Sequence, residues 1–364
     1  MKRKILIVVG TRPNFIKITR FREVAQRYPD LEIKIAHTGQ HSDQNMAEIF
    51  FSQFNLKPDY FLNLSATTPA GQIGETISKL SQLLNTDYKA DLIITPGDVN
   101  STLATAITAN KMDIPLAHLE SGLRSFDRSM PEEINRIVTD GISDHCFVTE
   151  KSGVENLRNE QCKAQVHFVG NTMIDTLVAF DDKIDSSKIG DQLKIAEPFI
   201  LMTIHRPSNV DSAEGLKKLG KLITGLTEKY RVVFPVHPRT LKNLQQRDGF
   251  KDLNQLSNLT LTEPLGYFEF QWLVKNCKLV ITDSGGIQEE TTFRRVPCLT
   301  LRNSTERPVT VDLGTNRLIR FDLEQIFAEI ARIEAGKFKK GSVPDLWDGK
   351  ATERIVEIIS GLSL

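Results

Sequence analysis

Short runs of aliphatic and β-branched residues alternate with amphipathic stretches along almost the whole chain. Apolar runs at residues 4–9, 32–37, 92–95, 115–119, 146–149 and 166–169 predict strands, and a helical period between them predicts helices at 15–27, 72–84, 101–110 and 132–142. Strands that are apolar on both faces and separated by helices imply a parallel, doubly wound sheet. A second series of strands is predicted at 199–204, 232–236, 259–261, 279–282 and 298–301, with helices at 212–228, 267–275 and 286–294. The stretch 181–197, polar and rich in Asp, Ser and Lys, predicts a linker between the two series. The expected fold class is therefore α/β: two Rossmann-like doubly wound domains facing a cleft lined by the carboxyl ends of both sheets. A last helix is predicted at 351–359, and the sequence pattern does not say which domain it packs on.

The length of 364 residues agrees with two domains rather than one core. Lys plus Arg and Asp plus Glu number 46 each, so the formal net charge is zero. Such a chain has no broad field to hold nucleic acid or an anionic membrane, and any anion binding must be local. No apolar run approaches membrane-spanning length, and the run 5–9 after Met-Lys-Arg-Lys is short enough to read as a first strand rather than a leader. Four scattered cysteines without a C-x-x-C pair fit free thiols in a reducing cytoplasm.

Candidate chemistry concentrates at the predicted strand ends. From His118 to Ser143 the chain packs Glu120, Arg124, Asp127, Arg128, Glu132, Glu133 and Arg136 into a short span after a buried strand. Carboxylates interleaved with arginines there suit proton transfer on a negatively charged substrate, and Asp98, after the strand 92–95, has access to the same floor. Gly10-Thr11-Arg12-Pro13-Asn14-Phe15-Ile16-Lys17 joins a glycine turn, an arginine and a helix start, a setting for a phosphate, although it is neither a dinucleotide fingerprint nor a P-loop. Asp283-Ser284-Gly285-Gly286-Ile287-Gln288-Glu289-Glu290 repeats that arrangement in the second half, where backbone N–H groups can meet a pyrophosphate and a glutamate can bind ribose hydroxyls. His205-Arg206 and His237-Pro238-Arg239 end neighbouring strands and bring arginines suited to phosphate oxygens. His118 and Glu120, two apart, share one face of a regular strand, but no third ligand is spaced to complete a metal site and no D-x-D motif is present.

In this order the motifs resemble the non-hydrolysing UDP-N-acetylglucosamine 2-epimerases nearly end to end. The resemblance rests on G-T-R-P-x-x-I-K at Gly10–Lys17, T-G-Q-H at Thr38–His41, G-D-x-x-S-T at Gly97–Thr102, H-x-E-x-G-L-R-S at His118–Ser125 and P-E-E-x-N-R at Pro131–Arg136. It continues with G-N-T-x-x-D at Gly170–Asp175, H-R at His205–Arg206, D-S-G-G-x-Q-E-E at Asp283–Glu290 and T-E-R-P at Thr305–Pro308. It implies two domains of the glycosyltransferase-B type. The first would span 1–175 and be joined by the C-terminal helix 350–364, and the second would span 176–349. It also implies a homodimer working without metal or nicotinamide cofactor. Asp98, Glu120 and Glu132 would be the proton-transfer carboxylates, with His205 also catalytic. Arg12, Lys17 and Arg206 would face the diphosphate or sugar. Ser284, Gly285, Gly286 and Glu290 would hold the UDP phosphates and ribose, with Phe270 near the uracil. Gln40, His41 and His237 would belong to a second site at which substrate activates the enzyme.

The sequence departs from the common pattern at three places. Asn14-Phe15 replaces Glu-Ala, Ser121 replaces Ala, and His-Arg-Pro-Ser-Asn at 205–209 replaces His-Arg-Arg-Glu-Asn. These changes leave open a related UDP-sugar, a UDP-2,3-diacetamido-glucuronate or a deoxy-sugar, in place of UDP-N-acetylglucosamine. The scaffold also serves glycosyltransferases, and a binding protein without turnover is a further alternative.

Overall fold

The computed structural model describes residues 2–39, 51–245, 253 and 255–363. They pack as two units, Met1–Ala179 with Asp345–Leu364, and Phe180–Pro344. In the first unit seven strands are all parallel: β1 (Arg3–Val9), β2 (Leu31–His37), β3 (Tyr60–Phe61), β4 (Leu92–Pro96), β5 (Leu116–Ser121), β6 (His145–Val148) and β7 (Gln165–Phe168). Their order across the sheet is β3-β2-β1-β4-β5-β6-β7. Ile5 to Val9 are buried throughout because helices cover both faces. On one face Leu80, Leu83 and Leu84 of the helix Pro69–Thr86 pack with Leu6, Val8, Ile93 and Leu116. Each such side chain contributes about 1.5–3 kcal/mol through its burial.

The second unit repeats the plan with β8 (Phe199–Thr203), β9 (Arg231–Pro235), β10 (Leu259–Thr262), β11 (Leu279–Thr282), β12 (Cys298–Leu301) and β13 (Asn316–Ile319), in the order β10-β9-β8-β11-β12-β13. Each sheet reverses its strand order once, between β1 and β4 in the first and between β8 and β11 in the second. Chain leaving those two strands diverges to opposite faces, which opens a crevice at their carboxyl ends. Both units are thus Rossmann-like, doubly wound α/β folds, as the alternation of strands and helices predicts.

Three local expectations change. The helix predicted at 15–27 splits into Arg12–Ile16 and Phe21–Ala25. Between them the N–H groups of Lys17, Ile18 and Phe21 reach carbonyls three residues back, a tighter turn than an α-helix, and Thr19 bonds Thr176 through the hydroxyls at 2.6 Å. The stretch 181–197 is not an open linker, since it forms helices Asp181–Asp185 and Ile189–Gln192 with Ile184 and Ile189 buried. Its acids serve Lys275, which meets Asp185 at 2.6 Å and Asp181 at 3.0 Å, and Arg294, 3.1 Å from Asp181. Strands β3 and β13 lie outside the runs that the apolar pattern predicts as strands.

The C-terminal segment closes the first unit. The Asp175 carboxylate accepts the N–H groups of Ala351 (3.0 Å) and Thr352 (2.5 Å) at the start of the helix Ala351–Gly361. Trp347 Nε1 donates to Thr149 O at 2.9 Å and Arg354 Nη1 to Val169 O at 2.9 Å. The motif Gly170–Asp175 is therefore a clasp for the chain's end. Burial pushes the Asp175 carboxyl above its ordinary pKa despite those bonds. Asp175→Ala is expected to cost about 2–3 kcal/mol, because two buried helix N–H groups lose their acceptor. Asp175→Asn, which keeps one acceptor oxygen, is expected to lose less. Urea unfolding of both variants checks the difference, and equal stability of wild type and Asp175→Ala would contradict the clasp.

Candidate active site

In the first unit five of the predicted groups, Arg12, Lys17, Asp98, Glu120 and Glu132, lie around the crevice between β1 and β4. After β1, Gly10 and Thr11 turn into the helix Arg12–Ile16, with Arg12 exposed at its first position. The buried Asn14 side chain accepts from the Thr11 N–H (3.1 Å) and hydroxyl (3.0 Å) and donates to Pro96 O at 3.0 Å, which ties the β1 loop to the end of β4.

Glu120 lies where β5 loses its regular pairing: register with β6 shifts between Leu119 and Ser121, and Glu120 has φ +72°. A left-handed non-glycine residue in a bulge turns its side chain away from the alternating pattern. The Glu120 carboxylate meets the Lys17 ammonium, each residue only 7% exposed. The bulge also separates the partners of Glu120 from those of His118, two residues before it. His118 is fully buried, with Nδ1 2.6 Å from Asp140 Oδ1 and Nε2 2.7 Å from Gly97 O. Among the described residues no group of three or more His, Cys, Asp or Glu is placed to hold a metal ion, and no helix is long and apolar enough to cross a membrane.

The two neighbouring glutamates of Pro131-Glu132-Glu133 divide their work. Glu133 is buried and accepts from the Ser125 N–H (2.9 Å) and hydroxyl (3.0 Å), the Phe126 N–H (2.8 Å) and Arg136 (2.6 Å). Burial would raise its pKa, but these donors outweigh it and hold the carboxyl below the usual range. Arg136 also reaches Asp98 Oδ2 from Nε (2.9 Å) and Nη2 (2.6 Å), while Asn135 donates to Asp98 O at 2.8 Å. Glu132 is left half-buried on the wall of a pocket of about 300 Å³, together with Gly10, Thr11, Thr38, Ser101 and Asn135.

In the second unit the crevice between β8 and β11 is organised by Asp283, which is fully buried. Its carboxylate accepts the N–H groups of His205 (3.1 Å) and Arg206 (2.8 Å) and the Asn209 amide (2.9 Å), with His205 Nδ1 3.1 Å from Oδ1. Burial disfavours the charge, yet His205, the Arg206 N–H and Asn209 hold the Asp283 carboxyl below its ordinary pKa. The His205 side chain remains 41% exposed. Arg206 Nε donates to Asp283 O at 3.0 Å. The His237 ring lies 5.7 Å from that of His205, and its pKa is lowered by burial, His205 and Arg239. Gln40 and His41 lie outside the described residues.

Ser284 and Gly285 lead from β11 into the helix Gly286–Arg294. A Cβ on Gly285 would come within 2.9 Å of Glu306 Oε1 and 3.0 Å of Arg307 Nη1, so a larger residue there would have to displace the tips of both side chains. Behind it runs a buried chain of opposite charges. Arg302 meets Glu306 at 2.8 Å, Glu306 meets Arg307, and Arg307 meets Glu289 at 2.8 Å. Glu290 is buried in the helix and, after burial itself, helps push up the pKa of the buried Tyr267 hydroxyl. Phe270, on the helix Tyr267–Asn276, packs partly buried beside the cluster of Phe199, Leu273 and Cys298. Asn14, Asp140 and Asp283 are not among the site residues the sequence predicts, and Arg136 appears there only as one of a cluster of charges. A spacing signal existed only for Arg136, three residues after Glu133 on one helix face.

The profile of the UDP-N-acetylglucosamine 2-epimerase family matches residues 23–360. The UDP-N-acetylglucosamine 2-epimerase of Methanocaldococcus jannaschii is 38% identical over 365 residues, covering 98% of this chain and 99% of that protein. The chain belongs to this family. The crystal structure of the M. jannaschii enzyme in complex with UDP-GlcNAc and UDP superposes with a TM-score of 0.89 at 36% identity, over 98% of this chain and 99% of the other. Family members differ in substrate. The UDP-2,3-diacetamido-2,3-dideoxy-D-glucuronate 2-epimerase of Pseudomonas aeruginosa is 37% identical over 364 residues, covering 99% of this chain and 100% of that protein.

Proposed function

We propose that the chain catalyses reversible C2 epimerisation of UDP-N-acetylglucosamine to UDP-N-acetylmannosamine, by eliminating UDP and adding it back. The C2–H of this sugar is not beside a carbonyl, so direct removal of that proton alone is unfavourable. In elimination a base takes the C2 proton while the C1–O bond to UDP breaks, and the C–H electrons become the C1=C2 bond of a glycal. Return of UDP to C1 with protonation on the opposite face of C2 completes inversion, with no net oxidation or reduction. Acid–base groups must reach both faces, and the departing diphosphate needs positive charge and N–H donors.

The observation that carries the reading is the division of chemistry between two crevices. Carboxylates Asp98, Glu120 and Glu132 with Lys17 and Arg12 stand at the β1/β4 crevice. His205 and Arg206 follow β8, Ser284 and Gly285 follow β11, and Gly286 and Glu290 belong to the helix that begins there, a helix start suited to phosphates. In this reading Asp98, Glu120 and Glu132 move the C2 proton, with His205 as a further acid or base. Arg12, Lys17 and Arg206 meet the sugar and diphosphate. Ser284, Gly285, Gly286 and Glu290 hold UDP, with Phe270 near the base. His237, with Gln40 and His41, is assigned to a second, activating site for substrate. We place the enzyme in the cytoplasm as a homodimer, without a cofactor, supplying activated N-acetylmannosamine for surface polysaccharide.

Proton NMR with UDP-N-acetylglucosamine in D2O tests the proposal. The expected result is UDP-N-acetylmannosamine, with deuterium entering C2 of both epimers. Release of free N-acetylmannosamine would replace it with hydrolysis. No exchange here, but exchange with UDP-2,3-diacetamido-glucuronate, would move the substrate to that of the P. aeruginosa relative.

A further inference from the structure

The mechanism above leaves His118 unused, although it is fully buried on β5, two residues before Glu120, and bonds the turn that leads from β4 to Asp98. Its Nε2 stands 2.7 Å from Gly97 O, and a carbonyl only accepts, so Nε2 carries a proton. Its Nδ1 stands 2.6 Å from Asp140 Oδ1. The other oxygen of Asp140 accepts the Gly122 N–H at 3.1 Å and lies 2.7 Å from Arg124 Nη1. A carboxylate held by a guanidinium and a backbone N–H is ionised and accepts only, so Nδ1 carries a proton as well. In agreement, burial works against the charge of Asp140, but the attraction of His118 and Arg124 prevails and its pKa is lowered. Arg124 in turn meets Glu160 at 2.8 and 2.6 Å. The buried His118, Asp140 and Arg124 then alternate in sign, and Glu160, at the exposed end of the series, brings the sum to zero.

We propose that His118 is a positioning residue for the epimerisation, a doubly protonated imidazolium that clamps the Gly97 peptide and thereby fixes Asp98 relative to Glu120. The clamp has two bonds. Gly97 donates its N–H to Leu119 O at 3.0 Å, and its carbonyl accepts from His118. Leu119 immediately precedes Glu120, and Gly97, at φ +75°, immediately precedes Asp98. Of the two bonds, the one from His118 is charge-assisted and the stronger. Gly97 also lies at the centre of the crevice: a Cβ there would come within 3.0 Å of Asn14 Nδ2, 3.1 Å of Lys17 Nζ and 3.7 Å of Glu120 Oε2. A shift of this peptide therefore moves one proton-transfer carboxylate against the other, and misplacement by about 1 Å costs on the order of 100-fold in rate.

The inference rests on the first unit being the proton-transfer half of the proposed enzyme. The test combines ring-nitrogen NMR of 15N-histidine-labelled full-length protein with kinetics per folded molecule. One buried histidine is expected to show two protonated ring nitrogens of nearly equal shift at neutral pH, and to vanish in His118→Gln. That variant is expected to lose about 100-fold in kcat, with KM and UDP affinity nearly unchanged. If His118→Gln does not fold, Asp140→Asn carries the test: the same ring should revert to a single-donor tautomer and kcat should fall. A neutral tautomer in the wild type, or a variant that folds and turns over normally, overturns the clamp. Failure of the wild type to exchange C2 in any UDP-sugar overturns the functional reading instead, while the ring spectrum still decides the charge of His118.

Discussion

Glu120→Gln is expected to lower kcat by about 10²–10⁴-fold, the range a positioned acid or base supplies, while UDP affinity changes little. The affinity is expected to survive because the helix start proposed for UDP, Ser284 to Glu290, belongs to the other unit. Glu120 is held in a left-handed bulge, a conformation that costs energy and persists where the surroundings fix it. The substitution has a second consequence, because Lys17 is buried against that carboxylate. Removing one partner of a buried ion pair costs about 3–5 kcal/mol, so the single variant mixes lost chemistry with lost stability. The double variant Lys17→Met, Glu120→Gln removes both charges and is expected to regain most of the stability without regaining turnover. Kinetics normalised to folded protein, beside urea unfolding curves, separate the two effects. Near-normal turnover in either variant would remove Glu120 from the proton-transfer step.

The same residue marks how far the sequence could be read. The run 115–119 is followed at once by the carboxylate of Glu120, and alternation of strands and helices is enough to place it at the end of a buried parallel strand. Alternation also put His118 and Glu120 on one face, and the bulge broke that rule. A bulge is set by neighbours distant in sequence, here the β6 register and Lys17, so no local pattern announces it. The two unpredicted strands have a related cause: β3 is two residues long, and β13, Asn-Arg-Leu-Ile, has only two apolar positions. Each gains its place by pairing at a sheet edge. The acids of 181–185 read as linker because their partners, Lys275 and Arg294, come about a hundred residues later. Likewise the motif Gly170–Asp175 was legible only as part of a resemblance, since its work is to cap a helix that begins at Ala351. Composition and period reveal elements; the partners of buried charges come from the fold.

Asp283→Asn is expected to be the second large effect, lowering kcat by about 10²–10⁴-fold by releasing His205 from its orientation. An asparagine offers one acceptor oxygen where the carboxylate serves the N–H groups of His205 and Arg206 and the Asn209 amide. At least one of those donors must then face an NH2 group, and His205 Nδ1 loses the charge beside it. Losing hydrogen bonds to a charged acceptor costs about 1.5–3 kcal/mol. The pH dependence of that cost identifies its origin. Because the folded protein holds the Asp283 carboxyl below its unfolded value of about 3.9, the charge contributes stability above that value. The contribution is lost as pH falls through the lower, folded one. The stability gap between wild type and Asp283→Asn should therefore be constant near neutrality and narrow below about pH 4. Urea unfolding at a series of pH values measures it. A gap that persists unchanged into strong acid would mean that shape rather than charge holds His205 and Arg206, and the loss of turnover would then need another cause.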